Sequence, residues 1–282
     1  MKVFKTIDRL RKLRRDTARE GLSIGLVPTM GYLHDGHIEL VRRSVRDCDV
    51  TVASIFVNPT QFGPGEDFES YPRDLKRDIK LLKEARCYAV FCPEAEELYP
   101  AGFCTTVAVE GLSDRLCGRY RPGHFRGVGT VVTKLLMSAL PDRAYFGRKD
   151  AQQLIIIERM AKDLNMPCRI IGVPTVREAD GLAMSSRNSY LTPGERAAAP
   201  VLYRALCAAK EMIDSGERDP KRVLAAAGKI INSEPMVKIQ YLEAVSRENL
   251  LPVETLRGKI LIAVAAFLGK TRLIDNICME LP

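Results

Sequence analysis

Long hydrophobic runs are missing from this 282-residue chain. The longest, Ile260 to Leu268, is about half of the roughly 20 residues that a membrane-crossing helix needs, so it reads as a buried strand, and no membrane partner is expected. Paired cysteines are missing as well. Eight cysteines stand at 48, 87, 92, 104, 117, 168, 207 and 278 without a CxxC pair or a compact framework, which fits free thiols in a reducing cytoplasm. Cys87 and Cys92 have no histidines near them in sequence, which argues against a structural zinc site. A long basic stripe is also absent. The net charge is +8, but residues 1–20 carry +5 of it, which leaves +3 for all the rest, so nucleic acid is not an expected partner. Internal repeats and low-complexity linkers are absent too, and histidine is scarce, with three in the chain.

What is present describes an ordinary globular protein. Hydrophobic residues make up 46% and charged ones 28%, and the length suits roughly two domains, each able to bury a core. The basic start could mimic a transit peptide, yet Asp8, Asp16 and Glu20 interrupt it and serine is absent. With Ile7, Leu10 and Leu13 at helical spacing, it reads instead as a first surface helix.

Strand and helix signals then alternate. Apolar or β-branched runs at 23–27, 51–57, 89–91, 144–146 and 169–173 predict strands. Helices are expected over 36–46, from Pro72 onward with Leu75, Ile79 and Leu82 as the buried stripe, near 126–139, and over 150–164. That alternation predicts an α/β fold, a Rossmann-like doubly wound parallel sheet over residues 1–175. Past 175 the texture changes. Helical stretches at 194–214 and 219–232 precede strands at 237–245, 259–266 and 271–277, so residues 176–282 read as a smaller α+β C-terminal domain with an antiparallel sheet.

Two of the three histidines lie in ProThrMetGlyTyrLeuHisAspGlyHis (28–37), between a predicted strand and a predicted helix. Unpaired backbone N–H groups and the positive helix end make such a turn a natural phosphate site. Gly31 and Gly36 permit close approach, and His34 and His37, three apart, would share one face. A capped turn with two exposed histidines is the plainer alternative on spacing alone. MetSerSerArg (184–187) offers two hydroxyls and a guanidinium fork, which suit a triphosphate as well as they suit a polar interdomain loop.

The first motif resembles the HIGH signature of nucleotidyl-transferring enzymes. Together with AsnProThrGlnPhe (58–62), GlyHisPheArgGlyVal (123–128) and TyrPheGlyArgLysAspAlaGlnGln (145–153), the two motifs resemble the pantothenate synthetase family over about residues 23–196. The resemblance implies a ligase of pantothenate and coenzyme A biosynthesis that activates pantoate with ATP as pantoyl adenylate, releases pyrophosphate, and lets β-alanine displace AMP. It places ATP on Met30, Gly31, Tyr32, Leu33, His34, Asp35, Gly36 and His37, on Gly147, Arg148, Lys149 and Asp150, on Val176, and on Met184, Ser185, Ser186 and Arg187. His34, His37, Lys149 and Arg187 would be catalytic, with His37 the proton donor. Gln61 and Gln153 would bind pantoate, and Gln61 also β-alanine; neutral amides leave the reacting carboxylate nucleophilic.

Mg²⁺ is expected with ATP, with Asp78 and Asp150 the better acidic candidates, and relatives imply a homodimer. Arg115, Arg119, Arg121 and Arg126 are equally basic neighbours of the third segment, and sequence does not rank them. Arg148 stands where many relatives carry Glu. The 184–187 loop is expected to act as a lid, with Gly181 as its hinge. Another adenylyltransferase of the same superfamily is the alternative enzyme, and a non-catalytic nucleotide-binding protein the alternative of a different class.

Overall fold

The structure, a computed structural model, describes residues 1–282. Six strands form one parallel sheet: β1 (Lys2–Phe4), β2 (Ile24–Thr29), β3 (Val50–Ile55), β4 (Ala89–Phe91), β5 (Arg143–Gly147) and β6 (Arg169–Val173). Their order is β1-β4-β3-β2-β5-β6. The connecting helices are α1 (Ile7–Arg19), α2 (Asp35–Asp47), α3 (Leu75–Glu84), the single turns α4 (Ala95–Leu98) and α5 (Cys117–Tyr120), α6 (His124–Ala139) and α7 (Ala151–Asp163).

The pleat explains why these strands are apolar throughout. Ile24 and Leu26 of β2, Val50 and Val52 of β3 and Phe91 of β4 face α1, α6 and α7, while Val27, Ala53 and Val90 face α2 and α3. A sheet covered on both faces needs apolar side chains at every position. Strand β2 has β3 on one side and β5 on the other, so the chain leaves β2 in one direction and later returns to its opposite flank. At such a reversal the loops after the two central strands diverge and leave a crevice at their carboxyl ends. The segments after β2 and β5 are the 30–37 and 147–150 motifs.

The C-terminal part holds α8 (Pro193–Ala198), α9 (Val201–Asp214), α10 (Pro220–Asn232) and the antiparallel strands β7 (Val237–Ser246), β8 (Gly258–Leu268) and β9 (Thr271–Leu281), with β8 central. Ile260, Ile262, Val264, Ala266 and Leu268 of β8 pack with α9 and α10. Its alternate residues Leu261, Ala263 and Ala265 join the core formed by α1, α6 and α7. The uninterrupted run at 260–268 is therefore a strand buried on both faces. The architecture is the expected one, a Rossmann-like doubly wound parallel sheet with a small α+β C-terminal part, and no helix is long and apolar enough to cross a membrane.

Several local expectations fail for identifiable reasons. The third helix does not start at Pro72: Asp74 accepts a hydrogen bond from the Arg77 N–H at 3.0 Å and caps a helix beginning at Leu75. The stretch 194–214 is two helices, because Pro200 has no N–H to give and its ring crowds the preceding turn. Strand β1 had no signal, being three residues long at the sheet edge.

Candidate active site

Strand β2 delivers the chain into a turn that one buried carboxylate holds in place. Tyr32 adopts a left-handed φ of 49°, which is uncommon for a side-chain-bearing residue. Asp78 of α3 stabilises it by accepting the N–H groups of Tyr32 and Leu33, each at 2.8 Å. Both of its oxygens are thereby engaged within the protein. Burial raises its carboxyl above the usual value, against the pull of those two N–H groups. The expectation that Asp78 is an open metal ligand is corrected on this ground.

His34 caps α2. Its Nδ1 accepts the Gly36 N–H at 3.1 Å, while His37 Nδ1 accepts the His34 N–H at 3.4 Å, a reciprocal capping box built from two imidazoles. The ring centroids are 4.0 Å apart. Glycine is required at 36, because a Cβ there would sit 2.8 Å from the His34 ring. Burial, assisted by the His37 and Lys149 charges, pushes His34 down to about 2, and burial with Lys149 pushes His37 down to about 4. Both rings are therefore neutral near pH 7. With Nδ1 an acceptor in each, the proton resides on Nε2, and each ring presents an N–H donor to the cavity it lines. Capping engages one nitrogen of each ring and leaves the other for the cavity.

The segment after β5 is a 3₁₀ turn, Arg148–Asp150, fixed from β9: Asn276 donates from Nδ2 to the carbonyls of Arg148 (3.0 Å) and Lys149 (2.7 Å). Lys149 faces the cavity without an ion pair, and Asp150 lines it without a hydrogen bond. Arg148 turns away and donates to Gly172 O at 3.2 Å. In the third segment, the Val176 carbonyl accepts the Met184 N–H at 3.0 Å, Ser185 Oγ accepts the Arg187 N–H at 3.3 Å, and Ser186 Oγ donates to Tyr32 O at 3.3 Å.

One cavity of about 170 Å³ gathers Met30, His34, Gly36, His37, Gly147, Lys149, Asp150, Gln153, Val176 and Met184 to Arg187. Gly31, Tyr32, Leu33 and Asp35 shape the turn without lining the cavity, and Leu33 is fully buried. Gln61 stands one residue back, its Nε2 donating to Met30 Sδ at 3.0 Å and its Oε1 accepting from Asn58 Nδ2 at 3.1 Å. Of the adjacent glutamines in α7, Gln152 is structural: it accepts the Cys117 N–H and donates to the Leu112 and Arg115 carbonyls. Gln153, one position around the helix, has its amide free at the cavity.

The loop between β3 and α3 adds residues that sequence reasoning left out. Glu66 grips Arg121 through two 2.6 Å bonds, and the neighbouring Asp67 holds Arg187 at 3.0 and 2.7 Å. Burial works against the Glu66 charge, but Arg121 outweighs it and holds the carboxyl down at about 2. Arg121 also donates to His124 Nε2 at 3.0 Å, and the His124 Nδ1–H donates to Gln61 O at 2.7 Å. The structure thus separates the four arginines: Arg121 reaches the site, Arg119 pairs with Glu243, Arg115 binds Gly111 O, and Arg126 is exposed. Adjacent carboxylates in a loop beginning at AsnPro carried no signal of which arginines they would meet.

No group of three or more His, Cys, Asp or Glu side chains is placed to hold a metal ion by itself. Gly181 is also not a free hinge. A Cβ there would lie 2.4 Å from Tyr203, its carbonyl accepts from Arg177 at 3.1 Å, and the turn around it is fastened by Arg196 to Glu178 and Asp180.

Comparison with known proteins follows the same lines. A family model described as pantoate-beta-alanine ligase matches residues 2–278. A pantothenate synthetase from Heliobacterium modesticaldum is 55% identical over 280 residues, covering 99% of this chain and 100% of that protein. Among solved structures, pantothenate synthetase from Thermus thermophilus is similar with a TM-score of 0.92 and 47% identity, over 98% of this chain and 99% of that one. Pantoate-beta-alanine ligase from Francisella tularensis, complexed with beta-gamma ATP and beta-alanine, is similar with a TM-score of 0.82 and 35% identity, over 98% and 97%.

Proposed function

Because the chain belongs to the pantoate–β-alanine ligase family, and so joins pantoate to β-alanine with consumption of ATP in pantothenate biosynthesis, we propose a division of labour among its cavity residues. ATP lies across the 30–37, 147–150 and 184–187 segments with Val176 beside the adenine. The Nε2–H groups of His34 and His37, with the Lys149 ammonium, meet the phosphates, and pantoate is held by Gln61 and Gln153. The observation that carries this reading is the convergence of two neutral imidazole donors, an unpaired lysine and a free amide on one cavity at the sheet's topological switch.

The chemistry follows from those groups. A carboxylate is a poor acyl electrophile, so the pantoate oxygen first attacks the α-phosphorus and pyrophosphate leaves. Negative charge grows on the departing phosphates, where the two N–H donors and Lys149 stabilise it more in the transition state than in the ground state. The β-alanine amine, in its unprotonated form, then attacks the pantoyl carbonyl; the bond to the AMP oxygen breaks, AMP departs with the oxygen gained from pantoate, and the nitrogen loses a proton to water. A neutral His37 acts as an N–H donor in the free site; bound polyphosphate favours its charged form and supports the proton-donor role.

Mg²⁺ brought in with ATP would offset phosphate charge; Asp150, the one carboxylate lining the cavity, would be the protein group to hold it, which suits an ion bound chiefly by phosphate oxygens and water. Residues 176–282 supply the lid loop over 1–175. A cytoplasmic setting is supported by eight cysteines of which none is disulfide-bonded. A homodimer is supported by exposed Leu164, which with Val107, Val109 and Leu112 lines a surface cavity.

Gln61→Ala tests the pantoate assignment. Loss of a hydrogen bond to a charged substrate corresponds to about a ten- to hundredfold rise in KM for pantoate, with KM for ATP within about twofold of the parent. Equal rises in both, or none in a folded variant, would remove Gln61 from the pantoate site.

A further inference from the structure

Behind the ATP cavity lies a second chamber of about 70 Å³, which shares Lys149, Asp150, Gln153, Ser185 and Arg187 with it. Its far wall comes from β7, β8 and β9 and from Cys117 of α5, and includes Arg272. Four cations line this space, and two are already neutralised, Arg121 by Glu66 and Arg187 by Asp67. Lys149 also faces the phosphate side. Arg272 is left with no carboxylate: its Nε donates to Gln240 Oε1 at 2.9 Å and its Nη2 to Cys117 Sγ at 3.4 Å, both neutral acceptors. Asp275, three residues further along β9, is committed to Arg177 through bonds of 2.6 and 2.9 Å.

A guanidinium has five N–H donors in a planar fork, so the half-buried Arg272 retains unused donors toward this space. A ligand carboxylate completes that fork with paired, charge-assisted hydrogen bonds. We propose that Arg272 receives the carboxylate of β-alanine, so that the amine at the other end points toward Gln153 and the pantoyl carbonyl. This deepens the two-step reading above and rests on it.

The surface of the chamber agrees with the assignment. Leu116, Phe125, Leu261 and Leu273 give an apolar wall for its two methylenes. The charge at the closed end also explains selectivity. Small amines lacking a carboxylate would leave Arg272 unpaired in the closed complex, and rejection of that kind is stronger than a missing methylene can provide.

The test compares Arg272→Gln and Arg272→Lys with the parent. For Arg272→Gln, KM for β-alanine should rise about ten- to hundredfold, while pantoate-dependent exchange of pyrophosphate into ATP, measured without β-alanine, stays within about twofold. The parent should prefer β-alanine strongly over 3-aminopropanamide, which carries a neutral amide in place of the carboxylate. That preference should collapse in Arg272→Gln and return in part in Arg272→Lys. Exchange falling in step with the full reaction would mark Arg272 as structural or as a pyrophosphate contact, and a retained preference for β-alanine over the amide would equally overturn the proposal. Absence of exchange in the parent would count against the two-step reading, and the amide comparison would still decide the role of Arg272.

Discussion

Alanine at Lys149 or at His37 is expected to slow pantoate activation by about 10²–10³, the usual consequence of losing one donor aimed at developing charge. The two substitutions differ in what else they disturb. Lys149 makes no ion pair, and its turn is held through backbone carbonyls by Asn276, so its removal should leave thermal stability unchanged. His37 also accepts the His34 N–H, so His37→Ala loses a capping contact worth about 0.5–2 kcal/mol in addition to the catalytic donor. Rates of activation under saturating ATP and pantoate, read beside melting curves, separate these effects. A loss under about threefold in either folded variant would remove that residue from the reaction.

Arg187→Ala should abolish both loop closure and adenylate formation. In the free protein the guanidinium is bound to Asp67, so contact with triphosphate requires that pair to open or to be shared. Ser186 already reaches the 30–37 turn through Tyr32 O. Because β8 shares a core with α6 and α7, and Gly181 is packed against Tyr203, closure belongs to the short 184–190 stretch rather than to the whole C-terminal part. Hydrogen exchange should show greater protection over 180–190 with an ATP analogue and pantoate bound, and none of that gain in Arg187→Ala. Such closure would exclude water from a hydrolysable acyl adenylate. Equal protection with and without ligands, or normal activity in the variant, would leave the segment a static junction.

The parts legible in the sequence were those governed by local pattern. Doubly buried strands announce themselves as short apolar runs, and the histidine turn announces itself by its place between a strand and a helix. Contacts between distant segments left no such mark. Asp78 looked like a spare carboxylate because the N–H groups that engage it belong to Tyr32 and Leu33, 46 and 45 positions earlier. Arg121 could not be told from Arg115, Arg119 and Arg126 until Glu66 and the Gln61 carbonyl came into view. The amide that fixes Lys149 comes from Asn276, more than a hundred residues downstream. Gln152 and Gln153 illustrate both limits at once: helical geometry separates them, but which one faces the cavity depends on the carbonyls of Leu112 and Arg115.

If the two-step reading holds, this cavity completes a chemical step with ATP and pantoate before the amine takes part. Exchange of labelled pyrophosphate into ATP measures that step directly. With Mg²⁺ and pantoate present and β-alanine absent, exchange should occur, depend on pantoate and be little supported by carboxylates lacking its hydroxyls. Exchange that appears only after β-alanine is added would contradict it.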